Sequence, residues 1–209
     1  MKLLHIDSSI LGEQSVSRML SKTAVERLKG LEPSMEIIYR DLVTNPLPHL
    51  IGKHLARVAD VIDDVTLGER ALEEFIDADV IVIGVPLYNL SVSSQLKAWI
   101  DRIVVPGRTF RYTSHGPEGL AHDKRVILAM ARGGHYRQGN GLATYEHAEA
   151  YLRSIFAFIG VTRLDVIAAD GLAVDDTQKE LSIREALKSI SALEPLVEVP
   201  AIRMNRQRS

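Results

Sequence analysis

The sequence predicts an α/β fold, a doubly wound five-stranded parallel sheet with helices on both faces. Strand-length apolar segments alternate with helix-length amphipathic segments five times, and such alternation builds right-handed crossovers between parallel strands. One strand segment, Asp79–Pro86 (DVIVIGVP), is a nearly unbroken β-branched run, the composition of a strand covered on both faces. The chain has 209 residues, 46% of them apolar, enough for one sizeable core and short for two. Residues 1–200 are therefore expected to form a single domain.

The elements follow in order. Leu3, Leu4 and Ile6 suit a short central strand, ended by the polar Asp7, Ser8 and Ser9. A turn carrying Gly12 leads to a helix over Ser15–Lys29, with Val16, Met19, Leu20, Ala24 and Leu28 on its inner side and Gly30 and Pro33 beyond it. A strand follows at Glu36–Leu42. Asp41–His49 (DLVTNPLPH) contains two prolines, which exclude helix interior and central strand and leave an extended surface connection leading to a lid or wall. His54–Ile62 reads as a short helix. Thr66–Ala78 reads as a longer one, with Thr66 and Glu69 spaced as a capping box and Leu67, Ala71, Leu72, Phe75 and Ile76 on one face.

After the Asp79–Pro86 strand, Val92–Val104 is predicted helical, with Leu96, Trp99 and Ile103 sharing a face that suits core or dimer contact. Thr109–Gly119 (TFRYTSHGPEG) is read as a hairpin-like excursion. Lys124–Ala131 returns as a strand. Thr144–Ile159 is predicted helical, with Ala148, Leu152, Ile155 and Ile159 inward and Gly160 as its C-terminal cap. Arg163–Ala168 makes the fifth strand and Thr177–Leu193 the closing helix. Residues 201–209 are basic from Arg203 onward, lack apolar anchors, and are expected to be a flexible tail.

Composition excludes several functions. The formal net charge is −2, from 25 basic and 27 acidic residues mixed along the chain, so no global field recruits nucleic acid or an anionic membrane. There is no cysteine, which removes disulfides, thiolate nucleophiles and thiolate metal sites. The seven histidines form no recognisable metal pattern; His49 and His54 lack a carboxylate or cysteine framework. No apolar stretch is long enough for a signal or a membrane span, and a soluble cytoplasmic protein is the expectation. A serine hydrolase is disfavoured because no G-x-S-x-G elbow follows a strand.

Ligands of such sheets sit beyond the carboxyl ends of the strands, at the switch in winding direction, which for strand order 2-1-3-4-5 lies between the first and third strands. Three loops there carry unusual chemistry. The first places hydroxyls at Ser9, Ser15 and Ser17 beside a helix N-terminus, whose free amides and dipole suit a phosphate; the same serines also serve as ordinary N-caps. Neither G-x-G-x-x-G nor G-x-x-x-x-G-K-[ST] is present, so a mononucleotide fits better than a dinucleotide or a nucleoside triphosphate. The second loop, Pro86-Leu87-Tyr88-Asn89-Leu90, offers an apolar wall and edge hydrogen bonds to a flat heterocycle. The third, Ala131-Arg132-Gly133-Gly134-His135, lets the main chain approach a ligand closely.

Ser9, Ser15-Val16-Ser17, Pro86-Leu87-Tyr88-Asn89, Thr109-Phe110-Arg111-Tyr112-Thr113 with Gly116-Pro117-Glu118-Gly119-Leu120, and Arg132-Gly133-Gly134 together resemble the FMN-dependent NADH azoreductase and NAD(P)H-quinone oxidoreductase family, from the first strand through Gly160. The resemblance implies a flavodoxin-like fold and a homodimer with FMN near the subunit interface. It further implies ping-pong transfer of two electrons from NADH or NADPH to quinones and to azo compounds, whose azo bond is cleaved to aromatic amines. It assigns the phosphate to Ser9, Ser15, Val16 and Ser17. The isoalloxazine falls to Pro86, Leu87, Tyr88, Asn89 and Leu90, and its pyrimidine edge to Ala131, Arg132, Gly133 and Gly134. Relatives often carry an aromatic where Leu90 stands and a hydroxyl where Ala131 stands. Because the flavin carries the redox chemistry, no acid–base constellation is required of the protein; His135 and Tyr136 are the positional candidates for a proton donor. The competing expectation is a flavodoxin-type electron carrier without small-molecule turnover. Strong acidity would mark such a carrier, and this chain is nearly neutral.

Overall fold

The central sheet is parallel throughout and is built from strands β1 (Lys2–Asp7), β2 (Glu36–Asp41), β3 (Val80–Pro86), β6 (Arg125–Ala131) and β7 (Arg163–Ala169), with β4 (Phe110–Thr113) and β5 (Gly116–Gly119) forming a separate antiparallel hairpin. Helices α1 (Val16–Leu31), α2 (Gly52–Leu55), α3 (Ile62–Asp77), α4 (Ser94–Ile103), α5 (Ala148–Phe158) and α6 (Asp176–Ser191) connect them. This computed structural model describes residues 1–136 and 141–195, so the tail expected at 201–209 and the domain end expected at 200 lie outside the described residues. The sheet order is β2-β1-β3-β6-β7, which is 2-1-3-4-5 when its own strands are counted along the chain.

Side chains alternate across each strand, and the two faces collect separate cores. Leu4, Ile6, Ile81, Ile83, Val126 and Leu128 pack against α3, α4 and α5 through Phe75, Trp99 and Phe156. Leu3, Val80, Val82, Ile127 and Ala129 pack against α1 and α6 through Leu20, Leu28 and Ile190. Trp99 is fully buried and meets Phe75 edge-on at 6.1 Å, which makes it core.

Three expectations are corrected. Helix α3 begins at Ile62, so Thr66 lies in its second turn and donates its hydroxyl to Ile62 O at 2.9 Å instead of opening a capping box. Asp63 and Asp64 in the first turn favour the earlier start through the helix dipole. The buried face accordingly runs Val65, Gly68, Ala71, Leu72 and Phe75, and Leu67 is exposed. Within 54–62 the chain forms α2 and a separate 3-10 turn at Ala59–Val61 in place of one helix. Helix α5 starts at Ala148, and Ala143–Tyr145 forms a 3-10 turn ahead of it.

The Asp41–His49 connection is a wall. Leu42 and Leu47 plug into the core, and Arg102 Nη2 donates to Pro48 O at 3.0 Å. Gly160 takes φ +97° after α5, with Gly160 N bonded to Ala157 O at 3.0 Å and Val161 N to Phe156 O at 2.9 Å. This paired pattern is the left-handed C-terminal cap expected of glycine. It also lets the hairpin dock, because a Cβ on Gly119 would stand 2.1 Å from Gly160 N.

Candidate functional site

All five sheet strands point the same way, so the loops after β1, β3 and β6 share one rim, and β1 and β3 are neighbours there. Three cross-links join these loops. Ser8 Oγ donates to Gly84 O at 2.9 Å, Ser9 Oγ and Tyr88 Oη lie 3.0 Å apart, and Leu87 N donates to Ala131 O at 2.9 Å. Tyr88 thus turns its hydroxyl to the first loop rather than into the core.

In the first loop, Ser15 caps α1 by accepting from Arg18 N at 3.3 Å and lies 3.1 Å from Ser17 Oγ. Both serines are buried. The first intrahelical bond runs from Met19 N to Ser15 O, and the Val16 and Ser17 amides, at the positive end of the dipole, have no acceptor among the described residues.

Behind this cradle stands a charge network that sequence reasoning missed. The Arg18 side chain grips Ser9 O through Nε at 3.0 Å and Nη2 at 2.7 Å, and pairs with both oxygens of Asp41 at 2.9 and 2.8 Å. Burial alone would raise the Asp41 carboxyl, but the Arg18 bonds and charge together with the backbone amides of Val43 and Thr44 outweigh it and hold it below its ordinary value. Asp7 accepts from Ser21 Oγ at 2.8 Å and from Tyr39 Oη at 3.1 Å. Burial first, and the Asp7 carboxylate second, push the Tyr39 phenol up to about 12, so it stays a donor. Gly84 makes this approach possible, since a Cβ there would stand 2.4 Å from Asp7 Oδ1. A lone glycine inside a β-branched strand is the signal that marks such a close approach.

In the second loop, Asn89 and Leu90 both adopt positive φ, 46° and 68°, while Tyr88 and Ser91 exchange two backbone bonds of 3.0 Å. This is a two-residue type I′ turn, which asparagine tolerates and leucine adopts under strain. His147 N donates to Leu90 O at 3.0 Å, fastening the turn to the start of α5. The amides of Asn89 and Leu90 have no acceptor among the described residues.

In the third loop, the carbonyls of Gly133 and Gly134 accept from Ala173 N and Gly171 N, both at 3.0 Å, while their own amides have no acceptor among the described residues. Arg132 turns inward. Nη1 meets Asp170 at 3.1 Å and Nη2 meets Glu149 at 2.6 Å, and its backbone N–H and C=O bond Ala169 and Leu172. Tyr136 lies over Gly134, where a Cβ would come within 3.2 Å of its ring, and His135 packs on Gly171. A cavity of about 850 Å³ opens between the second loop, the start of α4 at Ser94 and Lys97, and Tyr151 of α5, and it reaches the first loop at Ile10 without touching Ser9, Ser15, Ser17 or the third loop; its volume suits a cofactor-sized ligand.

The chain matches the family described as "Flavodoxin-like fold" over residues 1–193. It is 52% identical over 200 residues to a FMN-dependent NADH:quinone oxidoreductase of Methylorubrum extorquens, covering 92% of this chain and 98% of the relative. The corresponding protein of Xanthomonas campestris is 48% identical over 202 residues, 92% of this chain and 99% of the relative. Among solved structures, an azoreductase from Bacillus anthracis superposes with TM-score 0.85 at 28% identity over 91% of this chain and 97% of that one. A FMN-dependent NADH-azoreductase from the same organism, crystallised with FMN, superposes with TM-score 0.83 at 26% identity over 91% and 95%. With the expected strand order and this rim, the chain belongs to the flavodoxin-like family of FMN-dependent NADH:quinone oxidoreductases and azoreductases.

Proposed function

We propose that the protein is an FMN-dependent oxidoreductase that takes two electrons from NADH or NADPH and delivers them, in a ping-pong cycle, to quinones and to azo compounds. The observation that carries this reading is the convergence on one rim of backbone amides that have no acceptor among the described residues with three serine hydroxyls. The amides of Val16 and Ser17, with the hydroxyls of Ser9, Ser15 and Ser17, suit a phosphate at one end. The amides of Asn89, Leu90, Gly133 and Gly134 suit the polar edge of a flat ring at the other. Bound FMN supplies the two-electron chemistry. This chain's residues bind and orient it: Pro86, Leu87 and Tyr88 form a wall, and Ala131 holds the second loop to the third. Arg132 acts from behind by tying its loop to Asp170 and Glu149. Amides at Gly133 and Gly134 would favour negative charge on the ring edge facing them.

The family resemblance further supports a homodimer in the cytoplasm, and among the described residues no helix is long and apolar enough to cross a membrane. Anaerobic stopped-flow mixing of FMN-reconstituted protein with NADH, then with a benzoquinone or a simple azo dye, tests the function. Bleaching of the flavin absorbance by NADH and its rapid return on quinone is the expected result, and the azo rate ranks the acceptors. FMN binding without bleaching would favour the electron carrier. Failure to bind FMN would overturn both.

A further inference from the structure

Away from the rim, a cavity of about 350 Å³ lies between the 50–57 segment, α3 and the end of α4. At its base sits Arg102, 7% exposed. Its Nη2 donates to Pro48 O at 3.0 Å and to His54 Nδ1 at 3.1 Å. His54 Nδ1 also accepts from Ile51 N at 3.1 Å, which places the ring proton on Nε2, 3.4 Å from Asp64. His54 therefore serves Arg102 as a neutral acceptor. Nε is buried without a partner, and among the described residues Nη1 has no acceptor and no carboxylate lies within ion-pair distance of the guanidinium. Burial pushes the Arg102 pKa down, opposed only through space by Asp64 and Asp101.

The seat for this cation is built. Gly68 stands inside α3, where glycine is a poor helix former, and a Cβ there would come within 3.2 Å of Arg102 Cδ and Nη1. The other charges lining the cavity are matched: Arg57 by Glu69 at 2.6 Å, Arg108 by Glu73 at 2.5 Å, and Asp101 by Lys97 at 2.5 Å. Apolar walls come from Leu50, Leu55, Val104 and Pro106. A desolvated guanidinium without a counter-charge is unfavourable, and an anion that reaches it is bound by a charge-assisted bond in a low-dielectric setting.

We propose that this cavity is a second ligand site, which takes a small organic monoanion, a carboxylate with an apolar body, with one oxygen on Arg102 Nη1 and the body against the leucine and valine walls. A single unmatched positive charge fits one negative charge. A dianion such as phosphate would bring a second charge that no unmatched cation of the cavity meets. The volume admits a ligand of the size of benzoate.

Titration of the FMN-loaded protein with sodium benzoate, followed by amide and arginine Nε–Hε NMR shifts, tests this. The expected result is a saturable, millimolar shift at Gly68 and at Arg102 with the flavin absorbance unchanged, and the same shift in flavin-free protein, so the outcome does not depend on the flavin reading. Benzamide should bind at least about tenfold more weakly, as should benzoate to Arg102→Gln, since each loses a charged hydrogen bond; inorganic phosphate should also bind more weakly, because its second charge is unmatched and it has no apolar body for the leucine and valine walls. If Arg102→Gln does not fold, Arg102→Lys decides, because it keeps the cation and loses the planar fork that presents Nη1; a weakened benzoate shift at Gly68 supports the site and an unchanged titration overturns it. No shift at Gly68 at tens of millimolar, or shifts confined to the rim with altered flavin absorbance, would also overturn it.

Discussion

The two ends of the sheet are made by the same strands over the same cores, yet they treat polar groups in opposite ways. At the amino end the charges are closed on protein partners. Lys2 N donates to Asp79 at 2.7 Å, Lys124 Nζ to Ile76 O and Ala78 O at 2.8 Å each, and Arg125 to Asp165 at 2.7 Å and Glu194 O at 3.1 Å. At the carboxyl end the charges of Arg18 and Arg132 are equally closed, but they hold up loops whose own amides stay open. The amides of Val16, Ser17 and Gly134 belong to buried or half-buried residues, where donors are ordinarily satisfied, so an end that keeps them free while locking everything behind them is shaped for a ligand. The amino end is shaped for stability.

Substitutions at the two ends should separate these roles. Gly84→Ala drives a Cβ to 2.4 Å from Asp7 Oδ1 and 3.1 Å from Ser17 O. It should cost about 3 kcal/mol in urea unfolding, as overpacking does, and should weaken FMN binding as well. Lys124→Met, at the other end, leaves two carbonyls at the end of α3 unsatisfied and should cost about 2 kcal/mol. Its FMN affinity by fluorescence titration should be unchanged; a loss there would break the division of labour.

Arg18→Gln releases Ser9 O and Asp41 together. FMN affinity should fall by about 2 kcal/mol, the scale of a charged hydrogen bond, while riboflavin, which lacks the phosphate, should bind as before. A fall for both flavins would mean a general collapse of the rim. The pair also sets an acid limb. The Asp41 carboxyl is held low in the folded state, so its contribution is complete above its unfolded pKa of about 3.9 and is lost as pH falls through the lower folded value. Asp41→Asn should flatten that limb in a pH series of thermal melts. The smallest effect belongs to Leu90→Gly, which relieves a left-handed leucine at φ 68° and should stabilise the protein by about 0.5–1 kcal/mol. A drop in FMN affinity would come with it if the strained turn is what aims the Asn89 and Leu90 amides.

Legibility in the sequence tracked the range of the interaction. The β-branched run at Asp79–Pro86, the serines before α1 and the glycine after α5 speak through neighbours in the chain, and each took its expected place. The first turn of α3 was misread because Thr66 and Glu69 imitate a capping box, while the dipole preference of Asp63 and Asp64 is a weaker pattern. Of the candidate site, the three loops were readable and their scaffolding was not. Arg132 carries the motif, but its guanidinium faces away from the rim. Arg18 and Asp41 carry no motif at all.

What the sequence determined alone was the set of strands and helices, the fold class and the three loops, because a period of two or 3.6 residues and the turn residues between segments are written along the chain. Tertiary structure decided which charges are matched and which are left over. Arg18 meets Asp41 across 23 positions, Arg132 meets Asp170 across 38, and Arg102 reaches His54 across 48. Such partners are chosen only after strand order and helix docking bring distant segments together, and no local pattern records the choice.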